Sequence, residues 1–223
     1  MAIETPDLNE RLAEAARYAL MRRLMPAIRH HVAGTLQPIG MLSAMLERRL
    51  LAATPDMLQL GKNAQALNAL AREAAATSLN LMTWLAPRDN DPVAVGSALE
   101  EALGLIATEL SLRGFSVVNE AAGVSAQLPK GMLRSVFTAS LIALTDAAGH
   151  AGNVRVAATE ESGSVQLKIS ILVPTLGETA VTENRLPGYR ALQWADVQAL
   201  ADAEGVQLQY GADSVRLAWE PGA

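Results

Sequence analysis

From Met21 to Leu50, apolar residues recur three or four positions apart: Met21, Met25, Ile28, Val32, Leu36, Ile39, Leu42 or Ser43, Leu46 and Leu50. That spacing predicts one long amphipathic helix. A second stripe, Leu60, Ala64, Leu67, Ala71, Ala74, Ser78, Leu81 and Leu85, predicts another. Both have the same opening, Thr5-Pro6-Asp7 and Thr54-Pro55-Asp56: a hydroxyl N-cap, a proline in the first turn, then an acid favoured by the helix dipole. The expected helices cover residues 7–52 and 56–86, with Pro26 and Pro38 kinking or dividing the first. A lone helical hairpin cannot bury two such stripes. Two hairpins can, as a four-helix bundle across a two-fold axis, so a homodimer is expected.

Pro87-Arg88-Asp89-Asn90-Asp91-Pro92 reads as a linker, and the pattern changes beyond it. Helices are expected over 96–112, Lys130–Ala148 and Tyr189–Glu204, the last closed by Gly205. Strands are expected at Phe115–Val118, around Val154 and Val156, and where Val165, Leu167, Ile169 and Ile171 alternate with Gln166, Lys168 and Ser170. A final hairpin runs from Val206–Tyr210 through Gly211-Ala212-Asp213 to Val215, Leu217 and Trp219. Three helices over a mixed sheet make an α/β sandwich.

Composition narrows the function. A formal charge of −5 over 223 residues gives no basic footprint for nucleic acid. The absence of cysteine excludes disulfides and thiolate metal sites. No apolar run approaches the roughly 18 residues that span a bilayer, and the start MAIETPDLNERL is unlike a secretory signal. The expectation is a cytoplasmic protein with no membrane segment.

One residue on the first helix stands out. At about 100° per residue, His30 lies opposite the stripe and faces solvent. His31, about 60° from Ile28, flanks the buried face. The helical neighbours of His30, namely Pro26, Ala27, Ala33 and Gly34, are small or compact, so another protein could approach closely. With Arg29 and Gln37 they are the candidate partner-binding residues. Arg22, Arg23 and Arg29 read either as contacts for an acidic partner or as a solvated helix face. Met21, Met25, Met41 and Met45 read as bundle core, Trp84 and Trp194 as packing residues, and His150 as a dipole partner at a helix C-terminus.

The run HHVAGTLQPI resembles the phospho-acceptor box of two-component sensor histidine kinases, His-acid-x-x-Asn-Pro-Leu-x-Pro-Ile. Aligned so, His30 is the phosphorylated histidine, and Leu36, Pro38 and Ile39 match the family's Leu, Pro and Ile. His31 takes the place of the acid, Gly34 that of the Asn or Thr, and Thr35 that of the Pro. Leu133–Gly149, LRSVFTASLIALTDAAG, similarly resembles the family's N-box helix, with Leu133, Arg134, Val136, Leu141, Asp146 and Ala147 keeping the pattern. The family's Mg²⁺-holding asparagines fall on Ala139 and Ala143, and a methyl group cannot ligate a hard cation. Where the family has Asp-x-Gly-x-Gly this chain has Leu172-Val173-Pro174-Thr175-Leu176-Gly177. In place of the later glycine-rich phosphate loop stands Leu186-Pro187-Gly188-Tyr189.

The resemblance implies an α+β fold. Residues 1–88 would be a helical hairpin forming a dimeric four-helix bundle, the dimerisation and phospho-acceptor domain. Residues 92–223 would be a degenerate histidine-kinase-type ATPase α/β sandwich. The combination is similar to histidine phosphotransferases derived from kinases, which shuttle phosphoryl groups between receiver-domain aspartates without binding ATP. His30 is then the catalytic residue and His31 a possible assistant. No cofactor is expected on this chain, because the response-regulator receiver would bring the Mg²⁺. A neutral imidazole is a competent nucleophile near pH 7, its ordinary pKa being about 6.5. Transfer is therefore expected to slow at low pH. The alternative is a non-catalytic pseudokinase or adaptor that docks on a histidine kinase or response regulator. A true ATP-dependent kinase with diverged boxes is the least favoured reading.

Overall fold

The computed structural model describes residues 7–84, 91–161, 164–172 and 191–219. It is a mixed α+β protein, with two long N-terminal helices followed by a mixed sheet and further helices. Helix α1 spans Leu8–Leu50 and α2 spans Met57–Trp84. α1 continues through Pro26 and Pro38 without a break, so the expected division does not occur. The caps also differ from expectation. The Asp7 carboxylate accepts from the Glu10 N–H at 2.8 Å, and that of Asp56 from the Gln59 N–H at 3.0 Å. Asp56 is therefore the N-cap, and Thr54-Pro55 lead into it. Its oxygen meets the third helical N–H, the donor an N-cap serves. Thr5 and Pro6 lie outside the described residues.

The rest of the chain gives β1 (Pro92–Ala94), α3 (Val95–Leu112), β2 (Ser116–Asn119) and β3 (Gln127–Pro129). One continuous helix follows, α4 (Lys130–Met132), a π-helical turn (Leu133–Phe137) and α5 (Thr138–Ala147). Strands β4 (Asn153–Glu161) and β5 (Ser164–Leu172), helix α6 (Trp194–Ala203), and strands β6 (Gln207–Tyr210) and β7 (Ser214–Trp219) complete it. The five-stranded sheet has the order β2-β4-β5-β7-β6, with β2 parallel to β4 and the other pairs antiparallel. The short strands β1 and β3 pair apart from it. The last helix begins later than expected, at Trp194. There the Asp196 carboxylate accepts from the Gln193 N–H at 3.0 Å and holds the start.

Alternation along β5 turns Val165, Leu167, Ile169 and Ile171 inward, while Gln166 and Lys168 face water. Val154, Val156, Val215 and Leu217 extend this face across the sheet, and Leu99, Ile106, Val136, Phe137, Leu141, Val197 and Leu200 cover it from the helices. α5 is buried on every side from Thr138 to Thr145, the pattern of a central helix. The chain divides into two compact units. One comprises residues 25–84; the other joins the start of α1, up to Leu24, to the described residues from 91 onward. The boundary within α1 thus falls inside the segment the sequence assigns to the hairpin. Ala13, Ala16, Leu20, Arg23 and Leu24 are buried in the sandwich unit.

In the hairpin unit a 3.5-residue repeat runs through the covered positions: Ile28, Val32, Thr35, Ile39, Leu42, Leu46 and Arg49 on α1, and Leu60, Asn63, Leu67, Leu70, Ala74, Thr77, Leu81 and Trp84 on α2, with Pro26, Ala27, Ala33, Gln59 and Ser78 half-buried beside it. This is the repeat of helices that stay in register along a shared seam. It corrects the expected stripe: Thr35 is covered while Leu36 is 51% exposed, and Arg49 is covered while Leu50 is 55% exposed. The Thr35 hydroxyl donates to the Val32 carbonyl at 3.0 Å, which satisfies it within the seam. Within one chain Met25, Met41 and Met45 are exposed and form no core.

Candidate functional site

His30 sits in the hairpin unit on unbroken α1, with its side chain exposed. Pro26, Ala27 and Ala33 are half-buried beside it, and Arg29, Gly34 and Gln37 are exposed. A Cβ built on Gly34 would meet no atom within 4 Å, so the surface next to the imidazole is open. The hairpin supports this exposure through its seam. Ile28 and Val32 turn inward, and His30, two residues from each, is left on the outer side. His31, beside it on the flank of the seam, is also exposed. A ring carrying two nitrogens on a rigid helix, with only small neighbours, can act as a nucleophile toward an electrophile brought by another molecule.

The arginines part company. Arg29 is exposed near His30, whereas Arg23 is 2% exposed and belongs to the sandwich unit. Its guanidinium pairs with Glu109 and lies 3.2 Å from the Asp146 carboxylate. Burial alone would pull the Arg23 pKa down; the hydrogen bond to Glu109 and the charge of Asp146 outweigh it and hold it above its ordinary value. Arg23 is thus neither a solvated residue nor free for a partner. Arg22 lies over the Tyr18 ring, 5.9 Å from its centroid.

The segment Leu133–Ala147 is the interior of the sandwich. Arg134, only 4% exposed, donates to Glu101 through Nε at 3.0 Å and Nη2 at 2.6 Å. Asp146 is bound by Arg113 at 2.8 Å as well as by Arg23. Ala139 and Ala143 are 0% and 2% exposed. Two residues that keep the N-box pattern, Arg134 and Asp146, therefore serve ion pairs within the fold. Among the described residues no group of three His, Cys, Asp or Glu side chains could hold a metal ion. The segments Val173–Gly177 and Leu186–Tyr189 lie outside the described residues.

Other sequence-based assignments resolve locally. His150 makes its contact, 3.3 Å from Nδ1, with the carbonyl of its neighbour Ala151. The C-terminus of α5 is served by Arg113, which donates to the Thr145 carbonyl at 2.8 Å. Trp194 stacks on Tyr210, with ring centroids 4.3 Å apart. No described helix is long and apolar enough to cross a membrane. The cluster of Arg23, Glu109, Arg113 and Asp146 is the feature sequence reasoning missed. Its one signal was an arginine, Arg23, beside the apolar Leu20 and Leu24.

No protein-family model matches the sequence, and no curated protein matches it. Solved structures do resemble the chain. The histidine kinase AdeS of Acinetobacter baumannii is 17% identical, with a TM-score of 0.48 over 82% of this chain and 96% of that one. A bacterial phosphotransferase is 17% identical, with a TM-score of 0.39 over 89% and 94%. The histidine kinase ThkA, in a complex with the response regulator protein TrrA, is 10% identical, with a TM-score of 0.40 over 97% and 66%. At TM-scores of 0.48 and below, these likenesses by themselves assign neither a family nor a chemistry.

Proposed function

We propose that this chain is a histidine phosphotransferase of a two-component phosphorelay, passing a phosphoryl group between receiver-domain aspartates through His30. The observation that carries the reading is His30 itself, solvent-exposed on an unbroken helix beside the open surface at Gly34. The resemblance of the surrounding HHVAGTLQPI to a phospho-acceptor box supports it.

In the forward step a ring nitrogen of His30 attacks the phosphorus of an aspartyl phosphate. The N–P bond forms as the P–O bond to the aspartate breaks, the carboxylate leaves, and the phosphohistidine later donates to a second receiver by the reverse exchange. Charge on the transferring group is met by the Mg²⁺ of the receiver, so this chain supplies position and nucleophile. Arg29, Gln37, Pro26, Ala27, Ala33 and Gly34 form the contact surface, and His31 assists as a second imidazole. Methyl groups at Ala139 and Ala143 support a reading without ATP.

The hairpin would act as a homodimer. Leu36, Met41, Leu50, Leu79 and Met82 are each more than half exposed in one chain, and a second hairpin in a four-helix bundle offers them cover.

The test is transfer from a panel of phosphorylated receiver domains, without ATP, to the wild type and to His30→Ala. Acid-labile label on the wild type and none on the variant is the expected result. Label persisting in His30→Ala would move the site to His31. No transfer to a folded wild type from any receiver would favour the adaptor reading.

A further inference from the structure

Three helices of the sandwich end in acids. Glu109 lies in the last turn of α3, Asp146 in that of α5, and Glu204 at the C-cap of α6; none of these last turns carries a base, although α3 has Arg113 at its C-cap. A helix C-terminus is the negative end of the peptide dipole, so acids there are disfavoured unless a cation answers them. The arm of α1, Leu8–Leu24, supplies such cations. Arg17 reaches Glu204 at 2.8 Å, and Arg23 pairs with Glu109 and Asp146. Ala13, Ala16, Leu20 and Leu24 are the arm's buried apolar residues.

A third arginine makes this contact separable. Arg113, at the end of α3, reaches Asp146 at 2.8 Å, Glu109 at 3.4 Å and the Thr145 carbonyl at 2.8 Å, all without the arm. Withdrawing Arg23 therefore leaves both acids with a cation. Buried ion pairs also hold less firmly than apolar packing of the same volume, because desolvation opposes the Coulomb gain. Leu20 and Leu24 give the arm its apolar burial, and the arginines select its seat.

We propose that Arg17 and Arg23 form a releasable electrostatic latch between the α1 arm and the acidic helix ends of the sandwich. Closed, it holds the arm on the sandwich; open, it frees the arm while Arg113 keeps Glu109 and Asp146 paired. The proposal rests on the ion pairs and is independent of the phosphotransfer reading.

Hydrogen exchange of the full chain, resolved by peptide, tests it. In Arg23→Gln the amides of Leu8–Leu24 should exchange on the order of a hundredfold faster, while β4 and β5 keep wild-type protection. Unchanged exchange in the arm would overturn the latch. Equal loss of protection in β4 and β5 would overturn it too, because Arg23 would then be part of the sandwich core. Arg17→Glu should also speed exchange in the arm, and combining it with Glu204→Arg should restore protection. Failure of the pair to restore it would show that the contact lacks the proposed charge recognition.

Discussion

The two units of this chain treat their apolar residues differently, and α1 carries both treatments on one helix. Up to Leu24 its inward positions Ala13, Ala16, Leu20 and Leu24 are buried to 3% exposure or less. From Met25 to Leu50 no position of α1 is fully buried. In the sandwich unit Leu99, Val136, Phe137, Ile169 and Val215 are wholly enclosed. Among the described residues of the hairpin unit only Leu60, Asn63 and Ala74 are buried. A sheet covered by three helices closes its own core, whereas two helices side by side enclose one narrow seam. The exposed imidazole of His30 belongs to the unit with the less enclosed core.

That contrast can be broken at several points. The largest effect is expected in the sandwich: Phe137→Ala should lower unfolding free energy by about 3–5 kcal/mol in urea titration, since the ring is fully enclosed. The matching change in the hairpin, Leu36→Ala, should cost far less in a single chain, because that residue is 51% exposed. Assembly is the next test. For the proposed homodimer, Leu36→Glu combined with Leu50→Glu should weaken self-association roughly a hundredfold in sedimentation velocity, with the sandwich's thermal transition retained. An unchanged dimer would place the two-fold contact on other residues. The smallest effect concerns the helix starts. Asp56→Ala and Asp7→Ala each remove one carboxylate cap, worth about 0.5–2 kcal/mol in denaturant unfolding. If the hairpin and the arm unfold separately, each change will move only its own transition.

Much of the fold was legible in the sequence because its elements follow one dominant periodicity. The alternation of Val165, Leu167, Ile169 and Ile171 gave β5 and its inward face directly, and Gly205, at φ +66°, closes the last helix as expected. Two features were hidden for physical reasons. The seam positions Thr35, Arg49 and Asn63 are polar, so a search for apolar residues passed to Leu36, Leu50 and Ala64 next door. Periods of 3.5 and 3.6 differ too little over a few turns to separate those choices. The ion cluster was hidden because Arg23 meets Glu109 and Asp146 across 86 and 123 residues of chain. No local pattern encodes such a pairing. The candidate site was legible for a complementary reason: exposure of His30 needs only the phase of one helix.

The sandwich is built from both ends of the chain, and this sets an order of events during synthesis. Arg17 leaves the ribosome 187 residues ahead of Glu204, its eventual partner. At about 5–20 residues per second the arm waits roughly ten to forty seconds for a seat. Through that interval Leu20 and Leu24 are uncovered, on the same helix as the hairpin now completing beside them. Under the proposed homodimer, a nascent hairpin can find a second copy before its own sandwich exists, and the last strands then fold onto a helix that is already paired.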